Sequence, residues 1–591
     1  MKELDALLLK QIENLQSEGK GEYTRFETLY GCFIQPNEET FRQTYKANCR
    51  LENAAEYEAC TLDFIPIADQ EYVVLDREAG RFCGTFAVKP YEADGDARKT
   101  FTSILIADYG DVREIVPIIL QKSWRNVYIV LNEGLRKFTS FYKLEDFPTV
   151  FPSNVKIFAT TADMHRYFLE NHDAYLPRKV FSRKSEKYDA VIKEIHDIRV
   201  RSGIPSNNAF LSVCVPSFNR GHRALKAVEY ALTTCYDAEI EIVLVNTGST
   251  NCTEGYQQIK NMRDSRLRYY ELEKNGGFHE SYCSALSRAS GHFAMMLSDE
   301  DSVAVEKLND VFEYLNEHCT EGVTTFNAIF DASPVVEYLI RKLEVCEKGL
   351  QGVKWAFDWT RHISGTCFNI DYMKESGIFE KAEEYRESLF FFYYPHCVFS
   401  FLLGYQYPTS NSGMEGWRYG KPEVDITEID WPVNAVLWPE WRIKQCYDAM
   451  KLLGDILCGS ELDEMFHYQI NTTFSLISLL FKEVPGKVKS YRWIDIWMQH
   501  YQSCLEVLQD LAEKFGDISS VKSQMDKSFL YWQICKREQR LRTPEENLRS
   551  SLQAQVAKYY HEKGVPFEEM DFGKMEEDLE SWITNFLAER S

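Results

Sequence analysis

Short apolar runs alternate with amphipathic stretches over residues 101–182. Apolar runs bounded by polar turns predict strands at 102–107, 126–131 and 155–159. Apolar residues at helical spacing predict helices at 112–121 and 162–169. Strands that alternate with helices are typical of an α/β layer around a parallel sheet, so we expect a small α/β domain here.

The same alternation returns more strongly over residues 210–303. The pattern predicts strands at 211–215, 239–245, 267–271 and 293–297, and helices at 223–233 and 280–289. Clusters of polar residues follow the first, second and fourth of these strands. Ligands of open α/β sheets bind outside the carboxyl ends of the strands, so these clusters mark the expected binding site.

Breaks in the pattern divide the chain into three expected domains. Residues 183–205 read as a charged helix followed by a linker that contains Gly203 and Pro205, and residues 430–591 read as almost wholly helical. The predicted fold is therefore α/β and multidomain: an N-terminal α/β domain (1–200), a Rossmann-like domain (208–425) and a helical C-terminal domain (430–591). The first is expected to dock an acceptor or partner, and the last suits packing in a homo-oligomer.

Two further segments allow more than one interpretation. The turn at 108–111 lies where a doubly wound sheet places a ligand, but it lacks the GxGxxG fingerprint, so a structural role stays open beside a binding role. The longest apolar run, 389–407, carries Pro395 and His396 near its middle and is rich in aromatic residues. It predicts a buried strand or helix rather than a transmembrane segment.

Charge and cysteine usage restrict the partners and the compartment. The chain has 67 basic and 90 acidic residues and a net charge of −23, which argues against nucleic acid or an anionic membrane as the main partner. Its 16 cysteines are scattered, without metal-binding or disulfide-framework spacing. We expect mostly reduced thiols and a cytoplasmic protein, since the first 15 residues also lack the apolar core of a signal peptide.

The three polar clusters together suggest the chemistry. After the first strand, Ser217 and Asn219 present small polar groups that suit a nucleoside, and after the second, Asn246 can hydrogen-bond a base edge. After the fourth strand, Asp299 and Asp301 form a compact pair of carboxylates, which suits Mg²⁺ or Mn²⁺ bound against a diphosphate.

Four stretches in this region resemble the nucleotide-binding half of a family 2 glycosyltransferase with the GT-A fold: VPSFNR (215–220), EIVLVNTGST (241–250), KNGGFHESYCSALSRASG (274–291) and MMLSDED (295–301). The resemblance implies that Asp299 and Asp301 are the ends of an Asp-x-Asp motif that holds Mn²⁺ or Mg²⁺. Asn246 stands where the family usually has an aspartate that reads uracil. The residues expected to bind the nucleotide sugar are Pro216, Ser217, Asn219, Arg220, Asn246, Gly248, Ser249, Asn275, Gly276, Gly277, Ser298, Asp299, Ser364 and Gly365.

The acceptor half departs from the family pattern. Residues 362–369 resemble the segment that lines the sugar pocket, but the Glu-Asp pair that usually supplies the general base is missing. His396 and Glu387 are the expected replacements, and a core role for His396 is the alternative. Trp355 and Trp359 suit sugar stacking or core packing equally.

The resemblance implies a metal-dependent, inverting glycosyltransferase that moves a sugar from a nucleotide-sugar donor, with a UDP-sugar favoured, to a hydroxyl of a glycan or protein acceptor. The alternative is a non-catalytic nucleotide-sugar-binding scaffold subunit, which the missing Glu-Asp pair and Asn246 favour. A nucleotidyltransferase is disfavoured, because the first strand is followed by no glycine before Gly221.

Overall fold

The computed structural model of the protein describes residues 61–87, 99–147, 153–331, 339–420 and 439–468, with gaps at 69–70, 77, 80, 122, 145–146, 361, 463 and 466–467. The first 60 residues and most of the expected C-terminal helical domain lie outside the described residues. Within that expected domain, one described helix covers Pro439–Ile456.

The N-terminal part of the described chain contains two sheets. A three-stranded antiparallel meander is formed by β1 (Leu62–Ala68), β2 (Glu71–Asp76) and β3 (Arg81–Ala87). A four-stranded parallel sheet follows, with strand order β6-β5-β4-β7, and the two sheets share one hydrophobic core. Its strands are β4 (Ile104–Ala107), β5 (Val127–Val130), β6 (Val155–Phe158) and β7 (Lys179–Phe181), and its helices are α1 (Val112–Leu120), α2 (Leu135–Ser140), α3 (Thr161–Glu170) and α4 (Ser185–Ser202). The predicted parallel α/β layer is confirmed.

The turn after β4 is held by its own side chains. Asp108 has a positive φ of 67°, and its carboxylate accepts hydrogen bonds from Asn132 Nδ2 (3.0 Å) and Tyr188 OH (2.8 Å). These bonds hold the pKa of Asp108 below its usual value against the opposing effect of burial. Because its partners come from the turn after β5 and from α4, Asp108 ties neighbouring elements together, which agrees with the structural interpretation of this turn.

The second α/β unit is built on a nine-stranded mixed sheet within the described residues, with order β10-β9-β8-β11-β15-β13-β16-β12 and β14 paired to β16. The parallel half consists of β8 (Leu211–Ser217), β9 (Ile240–Asn246), β10 (Leu267–Glu271) and β11 (Phe293–Met296). The other strands are β12 (Ser302–Val303), β13 (Val323–Ile329), β14 (Glu344–Cys346), β15 (Thr366–Asn369) and β16 (Thr409–Arg418). The predicted α/β class is confirmed, and the parallel half has the Rossmann-like layout expected of GT-A.

Helices cover both faces of this sheet, in two hydrophobic clusters. They are α5 (Gly221–Ala231), α6 (Glu254–Asn261), α7 (Phe278–Ser287), α8 (Leu308–Glu317), α9 (Leu350–Trp359), α10 (Ile370–Glu375), α11 (Ile378–Glu383), α12 (Leu389–Tyr393), α13 (Pro395–Gln406) and α14 (Pro439–Ile456). The four strands predicted between residues 211 and 297 are all present. β8 extends past Pro216, because its pairing with β9 continues to Ser217. Its pairing with β11 ends at Cys214, since Pro216 has no backbone N–H to donate to that strand.

The apolar run at 389–407 folds as the helices α12 and α13, which are separated at Tyr394. α13 begins with Pro395, whose fixed φ and missing N–H suit the first turn of a helix. Across the described residues, no helix combines the length and apolarity needed to span a bilayer.

Buried charges join the two α/β units. Arg199 on α4 contacts Asp237 (Nε to Oδ2, 3.3 Å), and Arg178 lies 3.3 Å from Glu239. Glu313 on α8 accepts a hydrogen bond from the backbone N–H of Phe101 (2.7 Å). The predicted charged helix is α4, which ends at Ser202 and is capped by Gly203, where φ is 69°.

Candidate active site at the carboxyl edge of the sheet

The three polar clusters lie side by side. β8 pairs with β9 on one side and with β11 on the other, all in parallel. The carboxyl ends of the three strands therefore meet at one edge of the sheet, as the sequence predicts.

Ser217, at the end of β8, is the centre of the buried hydrogen-bond network there. Its Oγ lies 2.6 Å from Tyr256 OH and donates to Asp299 Oδ2 at 2.7 Å. Tyr256 OH also accepts from the backbone N–H of Arg220 at 3.1 Å. Tyr256 is not among the residues predicted for the site, because a tyrosine on an amphipathic helix is more often a core residue.

Asp299 is 5% exposed and meets the guanidinium of Arg220. Arg220 Nη1 donates to Asp299 Oδ1 at 3.2 Å and lies 3.5 Å from Glu300, which also pairs with Arg223 at 2.8 Å. Burial raises the pKa of Asp299, and the contacts with Ser217 and Arg220 only partly oppose it. Arg223, which the sequence analysis did not select, thus restrains the acidic segment together with Arg220.

Asp301 is the more perturbed carboxylate of the pair. It is 3% exposed, and it accepts hydrogen bonds from Ser364 Oγ (2.5 Å) and from the backbone N–H of Gly420 (2.7 Å). Burial raises its pKa to about 7, with Glu300 and Asp299 adding to the shift. Ser364 Oγ in turn accepts from the backbone N–H of Ser298 at 2.9 Å, so two of the four serines predicted for the site, Ser298 and Ser364, lie near Asp301.

Asn246 and Asn219 shape the turn after β9. Asn246 is 1% exposed; its Oδ1 accepts from Ser249 N (3.1 Å) and its Nδ2 donates to Tyr269 OH (3.2 Å). Asn219 has a φ of 56° and its backbone N–H donates to Ser249 Oγ (2.8 Å). The structure thus gives Asn246 a role in holding the turn, and its role in base recognition stays a prediction.

Glycines allow the turn before α7 to pack closely against the turn after β9. Gly248 has a φ of 70°, and a Cβ there would lie 2.6 Å from the carbonyl carbon of Lys274. A side chain is therefore excluded, and the turn formed by Asn275, Gly276 and Gly277 lies at the same edge of the sheet. Gly277, with a φ of 96°, immediately precedes α7.

Gly365 follows Ser364 and packs against Trp417. Its φ is 80°, and Trp417 Nε1 donates to the nearby carbonyl of Phe326 at 2.9 Å. His362 stacks on the Trp417 ring at 5.2 Å between centroids, and burial lowers the pKa of His362 to about 4. This wall is uncharged at neutral pH.

The two predicted general bases lie in different environments. His396 is 2% exposed, and its ring packs among Phe278, Tyr282 and Tyr394. Glu387 is exposed, in the turn before α12. The burial of His396 agrees with the alternative core interpretation, and the catalytic role of either residue stays a prediction.

The two tryptophans also differ. Trp355 is 3% exposed and belongs to the core, whereas Trp359 is half-buried with the guanidinium of Arg341 5.4 Å from its ring centroid. Of the two, only Trp359 keeps a surface that a sugar could reach.

The donor set at Asp299 and Asp301 fits Mn²⁺ or Mg²⁺. In the part of the chain that the structure describes, no three His, Cys, Asp or Glu side chains converge as a metal-ligand set. Ions of this class at phosphate-transfer sites are commonly held by one or two carboxylates, with substrate phosphates and water completing the shell. A cation would also favour the ionised form of two carboxyls whose pKa burial raises.

Comparison with known proteins identifies the domain that carries this site. The sequence profile of glycosyl transferase family 2 matches residues 212–368, which include the ends of β8, β9 and β11. Residues 212–368 therefore form a segment similar to glycosyl transferase family 2. The family 2 domain thus contains Ser217, Asn246, Asp299 and Asp301, and its match ends before His396.

Curated relatives match the same domain over short stretches. The glycosyltransferase GlyG of Streptococcus pneumoniae serotype 4 is 29% identical over 107 residues, which is 18% of this chain and 35% of that protein. The putative colanic acid biosynthesis glycosyl transferase WcaA of Escherichia coli K12 is 24% identical over 127 residues, 20% of this chain and 45% of that protein. The chain therefore spans less than half the length of either relative.

Solved structures show weaker overall likeness. S. aureus TarS 1-349 in complex with UDP-GlcNAc has a TM-score of 0.41 at 18% identity, covering 56% of this chain and 91% of that one. The mannosyltransferase PcManGT of Pyrobaculum calidifontis, in complex with GDP-Man and Mn²⁺, has a TM-score of 0.31 at 12% identity, covering 56% and 88%.

Proposed function

We propose that the protein is a metal-dependent glycosyltransferase that transfers a sugar from a nucleotide-sugar donor to a hydroxyl group of a glycan or protein acceptor. The observation that carries the proposal is the buried pair Asp299 and Asp301 at the carboxyl edge of a family 2 domain, where burial raises the pKa of both carboxyls. A divalent cation beside two such carboxyls would stabilise their ionised forms, and it would also bind the diphosphate of a donor.

The chain's own residues have distinct roles in this proposal. Asp299 and Asp301 hold the ion, and Ser217 and Ser364 fix their carboxylates through hydrogen bonds of 2.7 Å and 2.5 Å. Arg220, whose side chain is 51% exposed, is close enough to Asp299 to turn towards a bound phosphate. When bound, the ion supplies Lewis-acid stabilisation of the charge that develops on the leaving diphosphate.

The uridine preference rests on the turn after β9. Asn246 Nδ2 donates to Tyr269 OH at 3.2 Å and, more weakly, to Glu271 Oε1 at 3.5 Å, and Tyr269 offers an aromatic ring at the same strand ends. An amide can still pair with the uracil edge, so Asn246 is compatible with the UDP-sugar that the family resemblance favours, although it supports UDP less strongly than an aspartate would. Displacement with inversion is implied by the family resemblance alone, and such a displacement needs a base that faces the attacking hydroxyl.

A thermal-shift panel of UDP-, GDP-, CDP- and TDP-sugars tests the donor class. With Mn²⁺ present, we expect one nucleotide class to raise the unfolding midpoint by mass action, and we expect the shift to vanish with a chelator. The variant Asp299→Ala should lose this shift, whereas Asp189→Asn, which changes an exposed aspartate on α4, should keep it. A shift of equal size in Asp299→Ala and in the parent would contradict the metal assignment.

The scaffold alternative predicts a different result from the same protein. A non-catalytic subunit would show the manganese-dependent shift but release no nucleoside diphosphate from the donor in the presence of any acceptor. The missing Glu-Asp pair is the observation that favours the scaffold alternative. Detectable turnover of the donor would exclude it.

A further inference from the structure

His362 lies in the turn before β15, at the edge of the sheet that carries the two aspartates. β15 runs antiparallel to β11, so its start meets the carboxyl end of β11 at Met296. The backbone N–H of Gly365 donates to the carbonyl of Met296 at 3.1 Å, which fixes the turn against that strand. The hydroxyl of Ser364 contacts Asp301, so His362 lies two residues from the side chain that holds the proposed metal ligand.

Two contacts hold the imidazole of His362 in place. Its Nδ1 accepts a hydrogen bond from the backbone N–H of Ser364 at 3.2 Å. Its ring stacks on Trp417, with the centroids 5.2 Å apart and the planes at 18°. Trp417 is 1% exposed and is fixed by its own hydrogen bond to the carbonyl of Phe326, so the imidazole lies on a rigid support. A side chain that is already fixed loses little conformational entropy when it binds a ligand.

The contact at Nδ1 determines which nitrogen of His362 carries the proton. A nitrogen that accepts from an N–H presents a lone pair, so the neutral imidazole carries its hydrogen on Nε2. Burial lowers the pKa of His362 to about 4, and the charge of Arg341 adds to this effect. At neutral pH the Nε2 edge of the ring is therefore an uncharged hydrogen-bond donor, and it cannot take a proton as a general base.

This donor is open to a ligand. His362 is half-buried, and its Nε2 is neither enclosed by the protein nor hydrogen-bonded within the described parts of the chain. It is therefore available to a molecule bound at this edge of the sheet. A small number of polar groups placed in this way fixes the orientation of a ligand and gives a site its specificity.

The chemistry of the donor suits a hydroxyl group. A phosphate or carboxylate would gain more from a charged donor, and the guanidinium of Arg220 already provides one beside Asp299. In the proposed reaction, the ion on Asp299 and Asp301 holds the diphosphate to which the sugar is attached. The sugar is therefore the part of the substrate next to the diphosphate that carries neutral acceptors, which are its hydroxyl oxygens.

We propose that His362 donates a hydrogen bond from Nε2 to a hydroxyl oxygen of the sugar that is transferred, and that this contact helps to select the donor sugar. The inference rests on the proposed function. The hydrogen bond places the sugar relative to the ion, because Ser364 contacts both His362 and Asp301. A site built to bind a hydroxyl discriminates against an analogue that lacks it, since the donor in the site then loses its partner.

Two substitutions separate the functions of the imidazole. His362→Asn keeps an acceptor for the backbone N–H of Ser364, as in an Asx turn, but has no donor at the position of Nε2. His362→Gln keeps a donor near the position of Nε2 but loses the acceptor at Nδ1. Both remove the stack on Trp417, so a difference between them reports the roles of the two nitrogens. The control is His292→Gln, which changes an exposed histidine paired with Asp371.

Calorimetric affinities measured with Mn²⁺ for UDP, UDP-glucose, UDP-galactose and UDP-N-acetylglucosamine give the test. We expect UDP to bind the parent and all three variants equally, because it carries no sugar. For the UDP-sugar that the parent binds most tightly, we expect His362→Asn to bind about fivefold to tenfold more weakly, as for one lost hydrogen bond. His362→Gln should recover most of this loss. Equal losses in the two variants, or a larger loss in His362→Gln, would overturn the proposal and leave His362 a role in the turn alone.

Analogues of the donor keep the test decisive. Among the monodeoxy analogues of that UDP-sugar, we expect one to bind the parent about fivefold to tenfold more weakly and to bind His362→Asn as well as the complete sugar does. His362→Phe, which keeps the stack on Trp417, serves if the asparagine variant fails to fold. A parent with the same affinity for every analogue would refute the assignment of His362. A parent that binds no nucleotide sugar in the presence of Mn²⁺ would instead refute the proposed function.

Discussion

Asp301→Asn should abolish manganese-dependent donor turnover and, without metal at pH 8, raise the unfolding temperature of the protein. Asp301 is buried, and its pKa is raised to about 7 mainly by that burial. Asparagine keeps an oxygen that can accept from Gly420 N, and Ser364 Oγ can accept from the new amide. The variant therefore loses the charge with little change in shape, so we expect kcat to fall by at least about 100-fold, as for loss of other electrostatic transition-state contacts.

The sign of the stability change follows from linkage. A carboxyl whose pKa is higher in the folded than in the unfolded protein stabilises the fold when protonated, and this contribution is lost as pH rises through the folded value, here about 7. Each unit of pKa difference corresponds to about 1.4 kcal/mol. At pH 8 the metal-free parent carries this cost and the asparagine variant does not, so the variant should be more stable by on the order of 1 kcal/mol or more.

Measurements of unfolding at pH 5 and pH 8, with and without Mn²⁺, check this prediction. The gain of Asp301→Asn over the parent should be larger at pH 8 than at pH 5, and Mn²⁺ should stabilise only the parent. Asp189→Asn, which removes an exposed charge, should show neither effect. A variant that is less stable than the parent at pH 8 would show that the Asp301 charge is already well solvated without metal.

The strands that carry the site could be predicted from the sequence, because each is a short apolar run followed by a polar turn. The runs at 211–215, 239–245 and 293–297 became β8, β9 and β11, and their carboxyl ends meet as expected. Strand periodicity and the order of turns are local properties. They therefore sufficed to place Ser217, Asn246 and Asp299 near one another.

Contacts between distant parts of the chain could not be predicted in this way. Asp301 accepts a hydrogen bond from the backbone N–H of Gly420, and a backbone donor leaves no signature in side-chain chemistry. Tyr256 and Arg223 lie on amphipathic helices, where an aromatic ring or a long side chain reads as core or surface. Their functional contacts depend on how α5 and α6 pack on the sheet, which local periodicity does not specify.

The general base on the acceptor side of the site was also difficult to predict from the sequence, because its surroundings depend on how distant helices pack. A lone histidine in a mainly apolar stretch fits both a core and a catalytic role, and the sequence therefore favoured His396 within its apolar run. In the structure, His396 on α13 packs against Phe278 and Tyr282 of α7, and the packing of one helix on another is not specified by local periodicity.

Asp237→Ala should destabilise the protein more than any substitution in the candidate site. Asp237 is 4% exposed and faces Arg199, whose side chain is 2% exposed, with His196 Nδ1 at 3.7 Å. Arg199 Nη1 also donates to the carbonyl of Ala174 at 2.9 Å, so it stays buried when its counter-ion is removed. An uncompensated buried charge costs about 3–5 kcal/mol, which would lower the unfolding temperature by several degrees.

The pH dependence of the parent's free energy of unfolding should also reflect the contact between Asp237 and Arg199. Burial acts to raise the pKa of Asp237, but the nearby His196 and the charges of Arg199 and Arg178 outweigh it and hold the pKa below its usual value. Stability from this carboxylate is therefore present above its unfolded pKa of about 3.9 and is lost as pH falls towards the folded value. Asp237→Ala should accordingly show a smaller loss of stability between pH 5 and pH 3 than the parent.

A double-variant cycle separates the ion pair from general packing. If the cost in Asp237→Ala comes from the charge left on Arg199, then Asp237→Ala combined with Arg199→Met should be more stable than Asp237→Ala alone, because the second change removes that charge. A double variant whose loss equals the sum of the two single losses would show that the pair is not coupled. Since Arg199 lies on α4 and Asp237 precedes β9, strong coupling would also show that this ion pair contributes to the contact between the two α/β units.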